Sequence, residues 1–575
     1  MSRRPCCGCT VIPTGAFGTS RIRRIPSTRT AAFCGRWIKR DIAWAAGDSG
    51  ACTAKIWCTS LFTTSRRPAD DCNVRDSSRL KGAVDALRPY VPLIVAMAAG
   101  GVCRLWDLTG PSLFIDEGWV FHISAAAPKE LLKLVAFTDF HPPLFYLITH
   151  YLVSWLHWPQ WDYRYLTALF SLTGIAATWA IARRLFGDVA AAIAAFALAF
   201  QPALIEWDRL YRMYAVLVSL GAISWWLLLV AADEKTRRRW LWWLLYALCA
   251  VALPYVQYFG ALIVLSQGLY AVTRWRQSWP ALVAGSAAAL ALLPWLWAIK
   301  VQYPHGGMVI ALSSAGFSWP TVIRSTVAYG LPASWMLNAH FDLAFSITAV
   351  AVLLGGVFLA RKTVLPFYLL PIAIQVGASL LTGKDLVIPR YLYAYVPAFC
   401  LCIAVLAGSW LKTRYRIAGV ALLLVYGSLA AVGIPNQLFV PYYQFPDWYE
   451  VNTLLLAHEQ KNDLIVMDQG AEYWVVHNFS GFRTHQMDAP AIPPDITRSI
   501  RWLRGYPGRR VWYIENQPAF TDVGHRLQRD LEKSRPRAGA WIQRRVFAED
   551  IVRIILYGRS YGKARSKSVV NTASP

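Results

Sequence analysis

Carboxylates and arginines collect at the ends of long apolar runs. Asp116 and Glu117 follow the first run, in Phe114-Ile115-Asp116-Glu117-Gly118-Trp119. Asp139-Phe140-His141-Pro142-Pro143-Leu144 comes next. Glu206-Trp207-Asp208-Arg209-Leu210-Tyr211-Arg212-Met213-Tyr214 separates two later runs, and Val256-Gln257-Tyr258 and Lys384-Asp385 with Arg390-Tyr391 separate others. A carboxylate can take a proton from an attacking hydroxyl. A guanidinium offers a planar fork of donors to an anion. Each feature also has an ordinary reading. Asp116-Glu117 fits solvated loop charge equally well. His141 before two prolines fits a helix start. Arg212 and Arg390 fit side chains snorkelling at span ends, and the Tyr and Trp residues fit an interfacial belt. Order and combination favour chemistry over these.

The elements that would position these residues are membrane spans. The 575 residues are 56% hydrophobic and only 16% charged, with 27 Trp. A soluble domain is nearer a quarter charged. Disordered, collagen-like and disulfide-scaffold classes are excluded. The 58 Lys+Arg against 33 Asp+Glu give a formal charge of +25, but the basic residues flank apolar segments and do not form a nucleic-acid footprint. About 20 apolar residues cross a bilayer as a helix. Eleven spans are expected, at 88–106, 164–182, 189–205, 213–232, 239–255, 259–273, 280–298, 340–360, 364–382, 391–410 and 416–434. The fold class is therefore a polytopic α-helical membrane protein, with transmembrane residues 85–436 and a first outer loop at 107–162.

Sidedness follows from the short loops. With the amino terminus inside, Arg183-Arg184, the Asp233–Arg239 run, Arg274/Arg276, Arg361-Lys362 and Lys412/Arg414/Arg416 all face the cytoplasm. Positive loops face inward. The first outer loop then carries Asp107, Asp116, Glu117, Glu130 and Asp139. This map requires that 142–158 lies in the outer interface and does not cross. Residues 1–84 form a basic leader, expected to be disordered, without the apolar core of a secretory signal. Its Cys6-Cys7-x-Cys9 run lacks partners at metal-site spacing. Cys103, Cys249, Cys400 and Cys402 read as small core residues.

An Asp-Glu pair after the first span, His-Pro-Pro-Leu opening the next helix, Arg-x-Tyr after the third span and a late Arg-Tyr-Leu together resemble the GT-C glycosyltransferases. The nearest branch is the protein mannosyltransferase and aminoarabinose transferase group, in particular its Rgt-type lipopolysaccharide-core members. The resemblance spans roughly 85–470. It implies a polyprenyl-phosphate sugar donor, a lipid, glycan or protein acceptor, inversion at the anomeric carbon, and action on the periplasmic face of a bacterial inner membrane. It implies Asp116 as the catalytic aspartate with Glu117 its partner. Arg390 and Arg212 would meet the donor phosphate. His141 and Tyr214 match the family's positions; with Glu206, Asp208 and Gln257, read from the outer-face loops, they would line the acceptor cavity. A divalent cation on Glu117, Glu206 or Asp208 stays open as an alternative, as does a metal-free site. Where related sequences often show Thr-His-Tyr, this chain has Val256-Gln257-Tyr258, and Gln257 is neither a base nor a good metal ligand.

After 436 the pattern changes. Short apolar runs at Leu464–Met467, Val511–Ile514 and Ile551–Leu556 read as strands, and 447–460 and 522–533 as helices. A small α/β domain at 437–575 is expected, placed outside by the odd span count. No Gly-rich phosphate loop follows a strand. Two other functions fit less well. A transporter or flippase would show internal repeats and polar groups at mid-membrane, and a non-catalytic assembly protein would leave the acidic loop without a role.

Overall fold

The computed structural model describes residues 87–302, 318–333, 343–383, 386–387 and 389–439. Toward the carboxyl end it describes 448–458, 460, 463–467, 500–501, 503–504, 510–515, 525–543 and 552–558. The chain divides into Met1–Val84 and Asp85–Pro575, and every described residue belongs to the second unit. The leader, its cysteine run and Lys384-Asp385 lie outside the described residues.

Helix α1 (Val91–Leu105) begins on a first-turn proline, where the missing N–H costs nothing. Two short helices follow in the first loop, α2 (Ile115–Ser124) and α3 (Pro128–Thr138). The expected interfacial segment is α4 (Leu144–Leu156), at 13 residues about 20 Å long. The long helix α5 (Arg164–Phe186) carries Arg183 and Arg184 in its last turn and stops at Gly187, φ 88°, the left-handed conformation glycine tolerates. Next come α6 (Asp188–Ala199) and α7 (Pro202–Asp208).

Then α8 (Met213–Ala232), α9 (Arg239–Val256), α10 (Gly260–Thr273) and α11 (Trp275–Leu292) follow. Beyond them lie α12 (Trp319–Gly330), α13 (Leu343–Leu359), α14 (Leu365–Thr382), α15 (Val396–Trp410) and α16 (Arg416–Phe439). α15 is the central helix, buried along nearly its whole length, with α6 and α13 packed on it. Gly356 makes the α13 approach: a Cβ there would sit 2.6 Å from the Cys402 carbonyl oxygen. Cys400 and Cys402 are core residues, while Cys103 and Cys249 are only half-buried.

Eleven spans are expected from the sequence; among the described residues, seven helices are long and apolar enough to cross a membrane, or eight with the bent α6–α7 pair counted as one span. Expected spans 88–106, 259–273 and 340–360 contain described helices of 15, 14 and 17 residues. The expected single span 189–205 is broken, with α6 and α7 meeting at 55°. Pro202 causes the break. It supplies no N–H and holds Gln201 extended, at φ −83° and ψ 109°.

Two arginines close the helix ends around this break. Arg104 donates to the Ala199 carbonyl at 2.9 Å and to Asp208 Oδ2 at 2.8 Å. Arg209 donates to the Trp106 carbonyl at 2.5 Å, just past α1. Each satisfies carbonyls that a helix end leaves over. Arg104 and Asp208 are both almost wholly buried. Arg104→Met therefore strands Asp208, and removing one partner of a buried pair costs about 3–5 kcal/mol. The expected result is a lower melting temperature of the purified protein in detergent. A melting curve matching the wild type would contradict this account of the break.

The carboxyl-terminal segment carries a four-stranded sheet in the order β1-β2-β4-β3. β1 (Leu464–Met467) runs parallel to β2 (Val511–Glu515), in register Leu464 to Val511. β4 (Val552–Tyr557) is antiparallel to both β2 and β3 (Arg537–Gln543). Successive side chains point to opposite faces. Ile465, Met467, Trp512 and Ile514 pack with Trp448, Val451 and Leu455 of α17 (Trp448–His458). Val466, Val511, Tyr513 and Ile555 pack with Leu527 and Leu531 of α18 (Arg526–Ser534). Three expected strands and both helices are present. β3 is the addition, with Ala538, Gly539 and Ala540 giving it little strand signal.

Candidate active site

The site is organised by Glu117. Its side chain lies in the first turn of α2 and is fully buried. One oxygen accepts the Phe114 N–H at 2.8 Å, the reach-back of an acidic residue in a first helical turn. Arg164, at the start of α5, donates Nε to Oε1 at 2.8 Å and Nη2 to Oε2 at 2.5 Å. The same guanidinium holds the carbonyls of Leu108, Pro111 and Ser112. Oε1 also accepts the Tyr211 N–H at 2.7 Å. One carboxylate thus ties the first loop to the segment before α8.

Arg212 is the next residue after that anchor, and its neighbour across the gap is Asp116, the residue before Glu117. Arg212 Nη1 donates to the Asp116 carbonyl at 3.2 Å, and Nη2 lies 3.5 Å from Asp116 Oδ2. The second distance is beyond a tight charge-assisted hydrogen bond. Asp116 keeps a quarter of its side chain exposed, while Arg212 is buried. Burial opposes the Arg212 charge, but Asp116, Tyr146, Tyr214 and Asp139 surround it and raise its pKa above the ordinary value. It is a permanent cation beside a carboxylate that is left accessible.

Asp139, the residue after α3, forms the third part. Oδ1 accepts the Phe140 and His141 N–H groups and His141 Nδ1 at 2.7 Å. Oδ2 accepts Trp119 Nε1 at 3.0 Å and the Tyr146 hydroxyl at 2.5 Å. Burial alone would raise this carboxyl's pKa. His141, Arg212 and the Tyr146 hydrogen bond outweigh burial and hold it well below the usual range. His141 is buried, with its carbonyl held by Gln302 Nε2 at 3.0 Å. Burial is the largest influence on the imidazole and lowers its pKa, Arg212 adding to this and Asp139 and Asp116 opposing it.

Three buried polar atoms here have no hydrogen-bond partner among the described residues: His141 Nε2, Arg212 Nε and Tyr214 Oη. Native interiors satisfy such groups, and a cluster of them suits a polar ligand. Tyr214 lies edge-on to Trp207, centroids 4.7 Å apart, and both rings meet Tyr393. Tyr393 follows Arg390 by three residues in the 3-10 turn Pro389–Tyr395, which packs on α8.

The structure thus brings Asp116, His141, Arg212 and Tyr214 into one neighbourhood. Arg390 sits on a backbone segment beside it, with its side chain outside the described residues. Glu206 is engaged by Gln437 Nε2 at 3.2 Å, and Gln257 is buried at the end of α9. Glu117, expected to be catalytic or to position the acceptor, is enclosed by protein donors, and Asp208, expected in the cavity, is paired with Arg104. Among the described residues no three His, Cys, Asp or Glu side chains come together to hold a metal ion, and Glu117, Glu206 and Asp208 do not converge. Asp139 and Arg164 were missed as site residues. Arg164 had a signal, a lone arginine opening an apolar helix.

Residues 140–297 match the sequence profile of the family described as dolichyl-phosphate-mannose-protein mannosyltransferase. The chain resembles the GT-C glycosyltransferases. The matched stretch includes His141, Arg212 and Tyr214 and ends before Arg390. Among solved structures, ArnT from Cupriavidus metallidurans bound to undecaprenyl phosphate is 13% identical at TM-score 0.47, covering 81% of this chain and 97% of that one. The oligosaccharyltransferase AglB from Archaeoglobus fulgidus, with an inhibitory peptide and a dolichol-phosphate, is 11% identical at TM-score 0.49, covering 83% and 75%. No curated protein matches the chain by sequence.

Proposed function

We propose that this GT-C-like chain is an inverting membrane glycosyltransferase that takes a sugar from a polyprenyl-phosphate donor. The acceptor is a hydroxyl of a lipid, glycan or protein. The observation that carries the reading is the accessible Asp116 carboxylate beside the buried Arg212, whose Nε is unpaired among the described residues. The profile match, in a family named for a dolichyl-phosphate sugar, supports the donor class.

In the reaction an acceptor oxygen attacks the anomeric carbon from the face opposite the phosphate. The new C–O bond forms as the C1–O bond to phosphate breaks, and the electron pair leaves with the polyprenyl phosphate. Arg212, with Arg390 from the turn packed on α8, meets the charge growing on the phosphate. Asp116 takes the acceptor proton, and a positioned base of this kind contributes about 10²–10⁴-fold. Opposite-face attack accounts for inversion. The basic short loops, on the eleven-span map, support a reading in which this site and the carboxyl-terminal sheet face the periplasmic side of a bacterial inner membrane.

The test is a panel of radiolabelled polyprenyl-phosphate hexoses and pentoses supplied to spheroplasts and to inverted vesicles carrying the protein. Label should move to membrane material from at least one donor, and only when that donor reaches the periplasmic leaflet. Failure with every donor would overturn the reading. Transfer confined to the cytoplasmic leaflet would overturn the sidedness.

A further inference from the structure

The proposed reaction uses Asp116 and the arginines but gives no part to the most heavily invested carboxylate in the site. Asp139 is buried and accepts from five donors, one of them His141 Nδ1. An ionised carboxylate can only accept, so a proton on a neutral His141 sits on Nδ1 and Nε2 carries a lone pair. That Nε2 is buried and has no partner among the described residues. The ring cannot turn away freely. Phe140 lies against it at 4.5 Å between centroids, and Gln302 holds the backbone. Val135 and His141 share that same Gln302 amide, at 2.9 and 3.0 Å, so the turn between α3 and α4 is pinned at both ends.

Resting on the glycosyltransfer reading above, we propose that His141 Nε2 accepts a hydrogen bond from a hydroxyl of the sugar or of the acceptor. Asp139 is the positioning residue that fixes the tautomer. The chemistry favours a hydroxyl over the phosphate: a lone pair repels an anion and receives an O–H. Asp116 and Arg212 are the charged groups that flank His141 besides Asp139, and Tyr146 shares the Asp139 carboxylate. Burial keeps the ring neutral, so the acceptor character of Nε2 persists at neutral pH and is lost on acidification.

The experiment uses the full chain in nanodiscs with a donor from the panel that the wild type accepts, and measures kcat and KM for three variants. His141→Phe keeps a ring without nitrogens and should lose about 10²-fold in kcat/KM, while binding of undecaprenyl phosphate and the melting temperature stay near wild type. His141→Gln, whose carboxamide oxygen accepts, should recover part of the loss and flatten the acid limb of the pH profile. A rise confined to donor KM assigns the hydroxyl to the sugar, and a fall confined to kcat assigns it to the acceptor. Asp139→Ala removes the acceptor of Nδ1–H and should free the imidazole proton for Nε2, read by ¹⁵N resonance. If that variant does not fold, the wild-type resonance decides the tautomer. His141→Phe within threefold of the wild type in both constants, or a wild-type proton on Nε2, would overturn the inference alone. A wild type that transfers from no donor overturns the glycosyltransfer reading, and this inference with it.

Discussion

Asp116→Asn is expected to lower sugar-transfer turnover by about 10²–10⁴-fold, the contribution of a positioned base, with membrane insertion and polyprenyl-phosphate binding retained. The geometry separates these effects. Asp116 is a quarter exposed, and its side chain stands 3.5 Å from Arg212 Nη2. The stronger tie between them is Arg212 Nη1 to the Asp116 backbone carbonyl, which the substitution keeps. An amide of the same shape therefore leaves the loop in place and removes only proton acceptance and one negative charge. Losing that charge leaves Arg212 freer to meet the phosphate, so donor affinity should hold or rise. The measurement is donor turnover beside undecaprenyl phosphate binding on the same preparation. Turnover within tenfold of wild type would remove Asp116 from its role.

Glu117→Gln is expected to show the opposite profile, with its main effect on the fold around the site. Glu117 accepts from Arg164 through two bonds, from Phe114 N and from Tyr211 N, all with no solvent exposure. The glutamine loses one acceptor oxygen and leaves the Arg164 charge buried without its counter-ion. Breaking a buried pair on one side costs about 3–5 kcal/mol. The expected outcome is a large fall in melting temperature, with activity lost through the fold. Arg164→Gln should act alike, and the double variant should cost less than the two single losses added, because neither charge is then stranded. Equal additivity would show that the two residues do not act as one unit.

What the sequence disclosed and what it hid have physical reasons. Asp116 and Arg212 were legible because both stand at ends of apolar runs, where an ionisable group must face water, a partner or a cavity. Their proximity was not. It depends on Glu117 reaching Tyr211 N–H, a contact between a side chain and a backbone group 94 positions away. The same contact separates Glu117 from Asp116, since adjacent acids look alike on paper and only burial tells them apart. Asp139 was given no role of its own, because its partners Trp119 and Tyr146 are not conspicuous in an aromatic-rich chain. Arg104 lay inside an expected span, and an arginine there signals a buried partner. That partner, Asp208, became clear only once Pro202 broke the helix at the point where Arg104 caps it. The carboxyl-terminal strands were read from their apolar content, β3 excepted.

The central claim is that Asp116 and Arg212 together face the phosphate–sugar junction of a lipid-linked donor. A cryo-EM structure of the protein in nanodiscs with an undecaprenyl-phosphate sugar analogue tests it most directly. The account predicts phosphate oxygens within hydrogen-bonding distance, about 2.7–3.2 Å, of the Arg212 guanidinium, and the anomeric carbon beside Asp116. A phosphate seated elsewhere, with Arg212 and Asp116 both remote from it, would contradict the account.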